Sequence, residues 1–149
     1  MKSISENIRS IFLADDDQDD RELFKEALHS LAPTAIFNFA NHGNGVYDEV
    51  KKCMPDIVFM DLNMPGCDGR DCLRLLKADA QVAHIPVVIY STSGARPWVD
   101  ECFQLGATRY IVKPPSYKGI LESVQLVLMT SPEELKSPPI LNNFVINLR

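Results

Sequence analysis

"DIVFMD" (56–61) decides how this chain folds. Every position from Ile57 to Met60 is apolar, so a strand here buries both of its faces. That is the habit of a parallel sheet covered by helices on two sides. Outward from it, the same unit recurs. "IFLA" (11–14), "AIFNFA" (35–40), "IPVVIYS" (85–91) and "RYIVK" (109–113) read as strands. Between them lie amphipathic stretches: 19–31, a short one carrying Val46, Val50 and Met54, one carrying Cys72, Leu73, Leu75 and Leu76, and one ending before Gly106. A last helix spans 117–129, with Ile120, Leu121, Val124, Val127 and Leu128 at packing positions. On the first helix Leu23, Phe24, Ala27, Leu28 and Leu31 share a face. Pro86 opens its strand, and Pro97 sits in the first turn of its helix. Five strand–helix units with short connections predict an α/β fold with a five-stranded parallel sheet and helices on both faces.

The 149 residues suit one domain with a real core, here taken as 1–129, followed by an extension, 130–149, too short for an independent output domain. Its Ser131-Pro132 start predicts a short helix, and "ILNNFVINL" is apolar without helical period. This tail packs on the domain or on a partner; the sequence leaves both open. The formal net charge of −5, with no basic block, gives no argument for direct nucleic-acid binding. No apolar run approaches a membrane span, and "MKSISENIRS" lacks a signal-peptide core, so a cytoplasmic protein is expected. Cys53, Cys67, Cys72 and Cys102 form no zinc-type spacing and read as reduced, partly core thiols.

Ligands of open parallel sheets bind beyond the carboxyl ends of the strands. The strand ends are therefore where chemistry is expected. The first ends in Asp15, Asp16 and Asp17, the third in Asp61, the fourth in Ser91, Thr92 and Ser93, and the fifth in Lys113. The second contributes only Asn41. Carboxylates that meet at one crevice need a cation, and hard oxygen donors suit Mg²⁺. A lysine and a hydroxyl beside them suit phosphoryl oxygens, and an Asp held there is a nucleophile toward phosphorus.

These pieces, in this order, resemble the response-regulator receiver domain of bacterial two-component signalling. The matching segments are "FLADDD", "IVFMDLNMPGCDG", "IPVVIYSTS" and "GATRYIVKPP", spanning roughly 9–129. The resemblance implies a flavodoxin-like, doubly wound sheet of order 2-1-3-4-5. It implies Asp61 as phosphoacceptor and Mg²⁺ held by Asp15, Asp16, Asp61 and the backbone carbonyl of Asn63. It implies Ser91, Thr92 and Lys113 around the phosphoryl group, Ser91 and Tyr110 as the switch pair, and a cis Lys113–Pro114 peptide. The implied partners are a histidine kinase or phosphotransfer protein and a downstream protein, with homodimerisation open. Thr92 stands where a smaller residue is common, and Pro115 where an aromatic is common.

Blander roles compete at several positions. Asp19 and Asp20 read as first-turn residues favoured by the helix dipole, and Asp17 is left between capping and binding. Tyr110 is also readable as a packed strand residue, and Trp98 as core or as an exposed anchor. Met64-Pro65 and Asp68-Gly69 read as turn formers, and His29, His42 and His84 as surface or loop residues. Two other functions remain: a Mg²⁺-dependent phosphohydrolase with an Asp nucleophile, and a constitutive interaction module. The first would ordinarily carry a second acid–base Asp where this chain has Asn63.

Overall fold

The computed structural model describes residues 8–148; the opening stretch read against a signal peptide lies mostly outside them. Strands β1 (Ser10–Ala14), β2 (Ile36–Ala40), β3 (Ile57–Met60), β4 (Val87–Ser91) and β5 (Arg109–Val112) alternate with helices α1 (Gln18–Leu31), α2 (Val46–Cys53), α3 (Gly69–Ala78), α4 (Arg96–Gln104) and α5 (Tyr117–Leu128). The tail then adds α6 (Pro132–Lys136), α7 (Leu141–Phe144) and a sixth strand, β6 (Val145–Ile146). The sheet order is β2-β1-β3-β4-β5-β6, and every neighbouring pair is parallel. The expected five strands are therefore six. An edge strand carries unpaired N–H and C=O groups. The aperiodic apolar tail meets that need at β5, pairing Val145 with Tyr110 and Ile146 with Ile111. Of the two fates left open for it, packing on the domain is the one observed.

Period-two alternation divides each strand between two cores. Ile11, Leu13, Ile57, Phe59, Val88, Tyr90 and Ile111 face α1 and α5, where Phe24, Leu28, Ile120 and Val124 meet them. Phe12, Ala14, Val58, Met60, Ile89 and Tyr110 face the opposite side, against Val50, Leu73, Leu76, Val99 and Cys102. The aromatic centre of the first core is Phe24, edge-on to Phe59 at 4.9 Å and to Tyr90 at 5.6 Å. Leu23, Leu75 and Met54, expected inward, are exposed. The two leucines adjoin the buried residues Phe24 and Leu76, and one step of a helix turns about 100°. Met54 ends α2 in the left-handed conformation, φ 47°, and leaves the helical stripe there.

Strand order reverses at β1: its chain neighbour β2 lies on one side and β3 on the other. The carboxyl ends of β1 and β3 therefore flank a crevice. Two turns shape its rim. Asp68 caps α3 by accepting from the Arg70 N–H at 2.8 Å. Gly69 lies so close to the β3 end that a Cβ there would sit 2.3 Å from the Asp61 carbonyl oxygen. Turn formation, as expected, accounts for both residues.

Candidate functional site

Backbone pairing sets the two principal carboxylates side by side. The Asp15 N–H donates to the Ala40 carbonyl at 3.0 Å and the Asp61 N–H to the Ala14 carbonyl at 2.8 Å. Each is the first residue past its strand, so both side chains enter the crevice. Asp15 and Asp61 are buried and Asp16 is exposed. One oxygen from each lies within 4.8 Å of the others. Asp15 Oδ1 accepts from the Asp17 N–H at 3.0 Å. Asp61 Oδ1 accepts from the Asn63 N–H at 3.1 Å.

Lys113 reaches the same point from the end of β5. The Lys113 N–H donates to the Ser91 carbonyl at 2.7 Å, which fixes the strand end against β4. Its Nζ lies 3.0 Å from Asp61 Oδ2, 2.8 Å from Asp20 Oδ2 and 2.9 Å from Asp15 Oδ2. It also stands 5.3 Å from the centroid of the Tyr90 ring. Burial opposes the lysine's charge, but Asp61, Asp20 and Asp15 outweigh it and hold the ammonium form well above the ordinary lysine value. Burial has the opposite result at Asp15. It pushes that carboxyl up to about 6, and Lys113 offsets only part of the rise. Lys113 Nζ, 2.9 Å away, is the near partner of the buried Asp15 Oδ2 and is shared with Asp20 and Asp61.

The donor set tests whether a cation fits. Three carboxylates share one lysine, and an all-oxygen set that is partly open at Asp16 matches a hard divalent ion that keeps some of its waters. Asp15, Asp16 and Asp61 are thus able to hold a metal.

The remaining expected residues fall in several places. Ser91 is buried, and its Oγ accepts from the Ser93 N–H at 3.4 Å; Thr92 is exposed. Tyr110 is fully buried, and its hydroxyl donates to the Ser93 carbonyl. Burial pushes the Tyr110 phenol up to about 12, opposed by a hydrogen bond with the Ser91 side chain. Tyr110 thus packs as a strand residue and also touches the β4 end. Lys113–Pro114, implied to be cis, is trans: no peptide bond among the described residues is cis. The trans form is the lower-energy state of an X–Pro bond by about 0.5–1 kcal/mol. Asp17 caps α1, accepting from the Asp20 N–H at 3.0 Å. Trp98 is partly exposed beneath the Arg70 guanidinium, 4.3 Å from the ring centroid. Burial pushes the Cys72 and Cys102 thiols up to about 12, as befits core thiols.

Asp20 is the residue that sequence reasoning missed. Its first-turn position explains it without a site, and only the direction of α1 aims its carboxylate at Lys113.

Residues 11–125 match the family model of the response regulator receiver domain. The chain belongs to this family. Chemotaxis protein CheY-3 of Vibrio cholerae is 33% identical over 117 residues, covering 76% of this chain and 87% of that protein. Chemotaxis protein CheY of Pseudomonas aeruginosa is 29% identical over 117 residues, covering 78% and 94%. The crystal structure of the phosphorylated cyanobacterial phytochrome response regulator RcpA superposes with a TM-score of 0.75 at 27% identity, covering 80% of this chain and 90% of that one. The protein is thus a CheY-like receiver domain of two-component signalling, with a flavodoxin-like fold. Among the described residues, no helix is long and apolar enough to cross a membrane.

Proposed function

We propose that this receiver domain is a phosphorylation switch in which Asp61 takes a phosphoryl group from the phosphohistidine of a histidine kinase or phosphotransfer protein. The observation that carries this reading is the meeting of Asp15, Asp16 and Asp61 oxygens within 4.8 Å, beside a buried lysine 3.0 Å from Asp61. Asp15, Asp16, Asp61 and the Asn63 carbonyl would hold Mg²⁺. When bound, the ion neutralises the carboxylates and the phosphoryl oxygens.

The chain's own residues supply the rest. An Asp61 carboxylate oxygen attacks phosphorus, the P–N bond to histidine breaks, and an acyl phosphate forms. Lys113, held charged, stays beside Asp61 to bind a phosphoryl oxygen, and the Ser91 hydroxyl donates to another. The neighbouring Thr92, exposed beside Ser91, would narrow the approach of water. When Ser91 moves toward the phosphoryl group, Tyr110 responds through their shared contacts, and the surface formed by α4, β5 and α5 changes affinity for a protein partner. Hydrolysis by water resets the switch, so the role is that of phosphoacceptor rather than enzyme. A cytoplasmic location fits a kinase-fed switch.

Incubation with a small phosphodonor and Mg²⁺, read by intact mass, tests the assignment. The wild type gains one phosphoryl group and Asp61→Asn gains none. Full labelling of Asp61→Asn, or sustained turnover of small phosphoesters by the wild type, would overturn it.

A further inference from the structure

Phe144 belongs to the tail, yet it is fully buried. Its ring lies edge-on to Phe103 of α4 at 5.1 Å and tilted against Tyr110 at 6.3 Å. The next residue, Val145, is the register partner of Tyr110 in the sheet. The tail therefore holds Tyr110 twice, by its ring and by its backbone. Tyr110 in turn donates to the Ser93 carbonyl, and the Ser93 N–H donates to Ser91 Oγ at 3.4 Å. A continuous path of contacts thus runs from Phe144 through Tyr110 to the Ser91–Ser93 turn. In a close-packed interior, a cover on the outer side of a ring takes away the space it needs to change rotamer.

The strap is built to leave. α7 has four residues and β6 two, and Ile140, Leu141 and Val145 are exposed. A cavity of about 130 Å³ lies between it and α4, lined by Val99, Asp100, Val112, Leu141 and Val145. Short elements with few buried side chains open well before the rest of a domain.

We propose that residues 138–148 form a regulatory strap and that Phe144 is the positioning residue through which it acts, by holding Tyr110 in the buried position that accompanies a Ser91 hydroxyl turned toward the phosphoryl group. This rests on the phosphoacceptor role proposed for Asp61. The docked strap presets Tyr110, so undocking weakens binding of a phosphoryl group at Asp61. By linkage, occupancy of Asp61 tightens the strap.

The test uses the full chain, wild type and with Phe144→Ala, plus Phe144→Leu as conservative rescue and a stop after Ser137 as a second route to strap loss. Beryllofluoride with Mg²⁺ is the phosphoryl probe. Phe144→Ala and the truncated chain bind it about five-fold or more weakly, and Phe144→Leu regains most of the affinity. In the wild type the probe slows hydrogen exchange of the Val145 and Ile146 amides. With 3-fluorotyrosine in place of tyrosine, the Tyr110 ¹⁹F resonance shifts or broadens in Phe144→Ala without any probe. Unchanged affinity in both strap variants, or a Tyr110 resonance indifferent to Phe144, overturns the strap proposal. If the wild type itself fails to label at Asp61, the phosphoacceptor reading has failed instead, and the ¹⁹F measurement still judges the Phe144–Tyr110 contact.

Discussion

The two edges of the sheet are finished differently. At β2 the edge is left open among the described residues: Ile36 is 60% exposed and Phe39 52%, with the Arg21 guanidinium 4.8 Å above the Phe39 ring. At β5 the edge is closed by β6, and α6 and α7 pack beside it, with Leu135 and Phe144 buried. Thr108 adds a hydrogen bond from its Oγ1 to the Leu135 carbonyl at 3.1 Å. What each strand brings to the crevice separates them. β2 ends near Asn41 and supplies no charge there, whereas β5 carries Tyr110 within it and Lys113 at its end. A cover on β2 would change only solubility; a cover on β5 touches the residues around Asp61.

Substitutions along the two edges sharpen that contrast. The largest effect is expected at the β5 end. Lys113→Met leaves buried carboxylates without their cation and costs about 3–5 kcal/mol at neutral pH without metal. A chain of this length then melts about 6–20 °C lower, and Mg²⁺ should restore much of the loss. A melting temperature equal to that of the wild type would mean that Lys113 does not hold the cluster together.

Next comes the tail beside β5. Leu135→Ala should cost about 2–3 kcal/mol in urea denaturation, because the side chain is buried under the sheet. A change confined to faster hydrogen exchange in residues 132–148, with the midpoint unmoved, would show that the tail opens separately from the domain.

The crevice should then show a pH signature. Asp15 binds its proton more tightly folded than unfolded, since burial raises its carboxyl to about 6. Its contribution to stability is therefore full below the ordinary carboxylate value and is lost as pH rises through about 6. Mg²⁺ requires the carboxylate form. At ten times its dissociation constant measured at pH 7.5, Mg²⁺ should raise the melting temperature there by about 3–6 °C. At pH 5 the same concentration should raise it much less. Equal shifts at both pH values would remove Asp15 from the ion's ligands.

The smallest effect is expected at the open edge. Phe39→Ser should change stability by no more than about 1 kcal/mol and leave phosphodonor labelling as it was. A marked loss of labelling would break the comparison, because β2 would then communicate with Asp61.

Much of this architecture was legible in order along the chain. "DIVFMD" and its apolar counterparts carry the parallel sheet, because a strand buried on both faces must be apolar throughout. Asp15, Asp61 and Lys113 were legible as strand-end residues, because all strands of a parallel sheet end on one side. Asp20 and Phe144 were not. Each has a local explanation, a helix first turn or an apolar tail, that makes no reference to the crevice. The sixth strand was hidden for a related reason: two residues are too few to show a period.

Sequence by itself determined the alternation of strand and helix and the acidic and basic strand ends, which rest on neighbours along the chain; that Asp17 caps α1 and Asp68 caps α3 was decided by the structure. Only the tertiary structure decided that one lysine faces Asp15, Asp20 and Asp61 together, and that the tail lies on Tyr110. Those contacts join residues far apart in sequence. Which partners meet is set by strand order, helix direction and the need of an open edge for a partner, none of which is written at any one position.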